Sequence, residues 1–104
     1  MELRLLTTFA AAAEQHSFTR AARILELTQA AVSQQIAALE KELGGVLFDR
    51  QSRGVQLTER GQRLYGYTRK ILDLVDEASV QVGQLEQRLS GNLRIATSTV
   101  PSEW

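Results

Sequence analysis

The side chains able to do chemistry fall into two groups, and neither is built for turnover. Thr28, Gln29, Ser33 and Gln34 place hydroxyls and amides close together on one short stretch. A glutamine amide holds a donor and an acceptor side by side, so it can bond two neighbouring atoms of a planar partner at once. Further on, between residues 50 and 70, Arg50, Arg53, Arg60, Arg63, Arg69 and Lys70 are opposed only by Glu59, in a chain whose formal net charge is zero. Such a cluster neutralises polyanions locally, because distant acidic residues are screened within about 10 Å at 0.1 M salt. A solvated basic face fits the same count. The chain has no cysteine, and His16 is its lone histidine, which removes disulfides, thiolate nucleophiles and cysteine- or histidine-rich metal sites. No nucleophile beside a base, phosphate-cradling glycine loop or metal-ligand spacing occurs, so neither an enzyme nor a cofactor is expected.

The elements that must position these groups follow from length and periodicity. The 104 residues suffice for one compact domain with an appendage, and a hydrophobic content of 43% with a single proline reads as mainly helical and folded. No apolar run of about 18 residues and no signal-peptide pattern is present, so no membrane association is expected and a cytoplasmic, nucleoid-associated location follows by default. Leu6, Phe9, Ala10 and Ala13 recur at helical spacing and predict a first helix over about residues 2–15. Ser17 is a good N-cap for a second over 19–25, with Phe18, Ala21, Ala22 and Leu25 inward and Arg20 and Arg23 outward. His16 is expected at the surface or at a helix end. Thr28 caps a third helix whose Val32, Ile36, Leu39 and Leu43 point inward, and Gly44-Gly45 ends it. Rotation by about 100° per residue then sends Ala30, Gln34, Ala37 and Lys41 outward, with Ser33 on a flank.

Two short strands, 46–50 and 55–57, are predicted next, joined by Ser52-Arg53-Gly54, whose composition suits a hairpin turn. Strands directly after two closely spaced helices make a winged helix-turn-helix. Thr58 caps a fourth helix that continues to about Leu89, roughly 48 Å at 1.5 Å per residue. Its Leu64, Thr68, Ile71, Val75, Ala78, Val82, Leu85 and Leu89 alternate by four and three, a heptad seam with one polar member. Such a stripe needs a cover; a second copy of the chain is the simplest one, and a domain lying beyond this sequence is the alternative. Gly91 and Asn92 are expected to end the helix, and Leu93 to Thr97 alternates like a strand. A lone strand has nothing to pair with, which suggests the front portion of a longer protein.

With those residues in place the chain resembles the LysR-type transcription regulators. The similarity runs through Ser17-Phe18-Thr19-Arg20-Ala21-Ala22, then Leu27-Thr28-Gln29-Ala30-Ala31-Val32-Ser33-Gln34-Gln35-Ile36, then Leu39-Glu40-Lys41-Glu42-Leu43-Gly44. It continues in Leu47-Phe48-Asp49-Arg50 and in Val55-Gln56-Leu57-Thr58-Glu59-Arg60-Gly61, covering about residues 3–65 in order. One departure is Ala30, where the family commonly has proline; alanine keeps the helix and adds a backbone donor.

The resemblance implies a winged helix-turn-helix DNA-binding domain over 1–58, a linker and dimerisation helix over 59–90, and the start of an effector-binding domain over 91–104. It implies a homodimer reading an interrupted inverted repeat in double-stranded DNA, tetramers in the full-length protein, and a small-molecule effector bound only by the domain not present. Gln29 and Gln34 would pair with adenine edges, Ala30 would meet a thymine methyl, and Thr28 and Ser33 would bond phosphate or base. Arg53 at the wing tip would enter or border the minor groove, while Arg50 joins the interface or serves the wing base. Dimerisation would fall to Leu64, Ile71, Val75, Ala78, Val82, Leu85 and Leu89. The competing reading is a protein-interaction module, which a salt series on duplex DNA separates from it.

Overall fold

The computed structural model describes the backbone of residues 1–94 and the side chains of residues 1–84. Three helices come first, α1 (Leu3–Gln15), α2 (Phe18–Leu25) and α3 (Gln29–Leu43). They are followed by strands β1 (Phe48–Gln51) and β2 (Gly54–Leu57) and the long helix α4 (Glu59–Arg94). By packing, the chain divides into two units, Met1–Leu72 and Asp73–Trp104. The first turns of α4 therefore belong with the winged unit.

Local chemistry sets the helix limits as the sequence predicts. The Ser17 hydroxyl accepts the Arg20 N–H at 3.1 Å, and the Thr28 hydroxyl accepts the Ala31 N–H at 3.0 Å, each satisfying a donor that the first turn leaves without a partner. Three helices end on a left-handed residue: His16 at φ 54°, Glu26 at φ 59° and Gly44 at φ 78°. His16 is thus a helix-end residue, the terminal conformation that turns the chain from α1 into α2.

The inward stripes meet in one core. Leu6, Phe9, Phe18, Val32, Ile36, Leu39 and Leu47 are all at most 5% exposed. Phe48, the first wing residue, closes it: its ring lies 5.5 Å from that of Phe9 and edge-on to that of Phe18 at 5.2 Å. The wing is a two-stranded antiparallel sheet in the register Phe48↔Leu57 to Gln51↔Gly54. Its turn is the pair Ser52-Arg53.

Three expectations shift. The first strand starts at Phe48, not Val46, because the preceding backbone groups are used elsewhere: Glu40 Oε2 accepts the Leu47 N–H at 2.8 Å, and the Leu47 carbonyl accepts the Thr58 N–H at 3.0 Å. Next, α4 passes through Gly91 and Asn92 to Arg94. Leu93 and Arg94, expected to open a strand, continue the ladder of i to i−4 bonds, which needs no second strand. The remainder of that expected strand, residues 95–97, lies outside the described residues. Last, Leu64 and Ile71 pack against the chain's own core, and Thr68 between them is 0% exposed. Within the chain itself these members of the stripe already pack on the winged unit, Leu64 and Ile71 half-buried and Thr68 fully enclosed. Their partner comes from the packing of the first α4 turns on the unit, which periodicity does not report.

Candidate nucleic-acid interface

Helix α3 presents two unlike faces. Val32, Ile36 and Leu39 are sealed in the core, whereas Thr28, Gln29, Ala30, Gln34, Ala37 and Lys41 are exposed and Ser33 is half-buried. Neither Gln29, Gln34 nor Ser33 has a side-chain partner among the described residues. Gln35 differs from its neighbours: the Thr8 hydroxyl donates to its Oε1 at 2.5 Å, tying α3 to α1. Of three glutamines in this helix, one is structural and two face outward with donor and acceptor both available. Thr28 uses one hydroxyl lone pair for its cap and keeps its proton for an outside acceptor.

The basic stretch sorts in the same way. Arg50 lies over the Phe18 ring with its guanidinium carbon 4.7 Å from the centroid, capping the aromatic cluster at the wing base. Arg60 donates to the Leu43 carbonyl at 3.1 Å, satisfying an acceptor that the end of α3 leaves open. Arg63 pairs loosely with Glu59 at 3.5 Å, Arg69 bonds Glu14 at 2.8 Å, and the Lys70 ammonium lies 5.4 Å from the Tyr67 ring centre. Among the described residues, Arg53 is the one of these six cations whose charged group has no partner, backbone or side chain, and it stands in the exposed two-residue turn. A cluster that looks uniform in sequence is mostly engaged with groups of its own chain, though all but Arg69 stay exposed.

The wing tip is held in place by backbone. The Val55 N–H donates to the His16 carbonyl at 3.1 Å. Gly54, at φ 129°, runs so close that a β-carbon there would stand 2.3 Å from the same oxygen. A side chain cannot be accommodated at that approach, so glycine lets the wing dock on the α1–α2 turn. Arg53 is thereby carried on a hairpin fixed to the helices.

Two cations escaped the sequence reading as site residues. Arg20 and Arg23 on α2 are exposed, and their guanidinium groups have no partner among the described residues. Helix α2 packs beside α3, and both charges lie on the exposed side of α2. The signal was present in the outward phase of residues 20 and 23, at spacing three on the α2 surface.

Away from this face, Glu14, Tyr65 and Arg69 form a polar cluster between α1 and α4. The Tyr65 hydroxyl and Arg69 both donate to Glu14 Oε2, at 2.7 and 2.8 Å. Burial, then the hydrogen bond to and charge of Glu14, raise the Tyr65 pKa above its ordinary value, and Arg69 partly offsets them.

On the later part of the seam, Val75, Ala78 and Val82 are exposed, with Val75 at 39% and Val82 at 57%. The side chains of Leu85 and Leu89 lie outside the described residues. No described helix is long and apolar enough to cross a membrane.

The family described as bacterial regulatory helix-turn-helix protein, lysR family, matches residues 3–62. The chain is 46% identical over 99 residues to the HTH-type transcriptional regulator BudR of Klebsiella aerogenes, covering 95% of this chain and 69% of that protein. It is 43% identical over 102 residues to the uncharacterized HTH-type transcriptional regulator YnfL of Escherichia coli, covering 97% of this chain and 34% of the relative. Among solved structures, the BenM DBD in complex with catB site 1 DNA superposes with a TM-score of 0.80 at 42% identity, over 83% of this chain and 96% of that one. Full-length CbnR complexed with its target DNA gives a TM-score of 0.74 at 36% identity, over 79% of this chain and 28% of that one. The chain thus spans about a third of the length of YnfL and less of CbnR.

Proposed function

The chain belongs to the LysR family of bacterial helix-turn-helix regulatory proteins, and from that premise we propose that it is a sequence-specific transcription regulator reading an interrupted inverted repeat as a homodimer. The observation that carries this reading is the outward face of α3, where Gln29 and Gln34 lack internal partners while Arg53, fixed on the docked wing, keeps its charge available. Gln29 and Gln34 make bidentate contacts to adenine edges in the major groove, Ala30 meets a thymine methyl, and Ser33 and Thr28 bond base or phosphate. Arg53 lies in or beside the minor groove. Arg20 and Arg23 add phosphate contacts, and Arg50 supports the wing from its base. The DNA complexes among the structural neighbours support the choice of ligand.

Residues 1–58 act as the DNA-binding domain and 59–90 as the dimerising linker, with Leu64, Ile71, Val75, Ala78, Val82, Leu85 and Leu89 as the seam between copies, the first two sharing their burial with the winged unit. Residues 91–104 begin an effector-binding domain, through which the longer protein forms tetramers and binds its small-molecule effector. The protein works in the cytoplasm, on the nucleoid.

A binding titration on duplexes selected from a randomised library, repeated across a salt series, tests the assignment. Wild-type affinity falls steeply with salt. Gln29→Ala lowers discrimination at particular base positions by about 1–3 kcal/mol, whereas Arg53→Ala weakens binding and flattens the salt slope. Equal losses on every sequence for Gln29→Ala would refute base readout. Affinity insensitive to salt would point to a protein partner.

A further inference from the structure

The first turns of α4 are held to the winged unit at two levels. At the bottom, the Thr58 hydroxyl donates to the Val46 carbonyl at 2.7 Å, Arg60 reaches the Leu43 carbonyl, and Gly61 lies directly against the Leu47 carbonyl. Seven to eleven residues above Thr58, about 10–16 Å along the helix, Tyr65 and Arg69 converge on one oxygen of Glu14 at the end of α1. One attachment lets a rod pivot; a second, displaced along it, fixes its direction. Leu64 between the two levels and Ile71 just beyond the upper one contribute apolar packing, but such contacts are non-directional and constrain tilt less than paired hydrogen bonds do.

We propose that Glu14, Tyr65 and Arg69 form a positioning cluster that fixes the direction in which α4 leaves the winged unit, and thereby sets the half-site separation that the homodimer reads. This inference rests on the dimer reading given above. The cluster is suited to direction more than to stability. Arg69 and Glu14 are 38% and 43% exposed, and ion pairs so exposed contribute little to folding. Two donors on one oxygen nonetheless constrain both α4 residues to the same point on α1. A tilt of about 10° moves a point some 30 Å along a helix by roughly 5 Å, more than the 3.4 Å step between base pairs. Half-site separation is therefore sensitive to a small loss of direction. None of the three residues belongs to the outward α3 face or the wing tip, so removing the cluster leaves the base contacts in place.

The test uses a duplex that the wild-type chain selects from a randomised library, with its central spacer then lengthened or shortened by one and by two base pairs. Wild type prefers one spacer. Glu14→Ala, which removes both bonds, reduces that preference at least threefold, by losing affinity for the best spacer while holding or gaining it on the neighbours. Glu14→Gln, whose amide oxygen still accepts, restores part of the preference, and Tyr65→Phe, which keeps the ring, gives an intermediate loss. Thermal unfolding of the variants stays within a few degrees of wild type. An unchanged spacer preference in Glu14→Ala, or an equal loss on every spacer, overturns the proposal while leaving the dimer reading intact. A wild-type chain that selects no inverted repeat overturns the dimer reading and takes this proposal with it.

Discussion

One apolar stripe in α4 meets two different fates. Leu64, Thr68 and Ile71, in the first turns, are taken into the winged unit, with Thr68 wholly enclosed. Val75, Ala78 and Val82, continuing the same alternation of four and three, are exposed. The residue types hardly differ between the two groups. A heptad period reports that one helix face needs a cover, and it is silent on whether the cover is the same chain or another. Here the lower part is spent largely on attaching the helix, so most of the surface left for a second copy lies in the upper part.

The largest effect expected from this division is on association. Val75→Asp combined with Val82→Asp places uncompensated charges in the proposed seam, at a cost of at least about 3 kcal/mol, or more than 100-fold in dimer dissociation. Sedimentation equilibrium reads that change, and a dimer that persists undiminished would remove the upper stripe from the interface. A smaller effect separates the two parts by stability. Ile71→Ala is expected to cost about 2 kcal/mol in denaturant unfolding, at the low end for a core deletion because the side chain is half-buried. Leu74→Ala, at a position 64% exposed, shifts it by no more than about 0.5 kcal/mol. Similar values for both would mean that the lower turns are not attached as described. The smallest effect has the opposite sign. The Thr68 hydroxyl is buried with no hydrogen-bond partner among the described residues, so Thr68→Val, nearly identical in shape, is expected to raise stability by about 1 kcal/mol. A loss of that size in the melting curve would show that the hydroxyl has a partner after all.

Much of the fold was legible beforehand because its signals are local. Ser17, Thr28 and Thr58 each precede the helix that the sequence reading assigned to them, and the hydroxyls accept N–H groups three residues ahead. The outward positions of α3 follow from rotation alone once Val32, Ile36 and Leu39 are known to face inward. What escaped notice depends on distant neighbours. That Gln35 turns inward depends on Thr8, 27 residues earlier. The start of the wing at Phe48 instead of Val46 depends on Glu40 and Thr58, which claim the Leu47 backbone groups.

By itself the sequence determined where the helices begin and end, which faces point inward, and which hydroxyls and amides ring the start of α3. Those features arise from bonds across three or four residues and from a rotation that every helix shares. Only the tertiary structure decided which charges remain for a partner and which part of the α4 stripe stays uncovered. Arg69 meets Glu14 across 55 positions of chain and Arg60 meets Leu43 across 17. The engagement of a cation is set by what the fold brings beside it, so no count along the chain separates Arg53 from its neighbours.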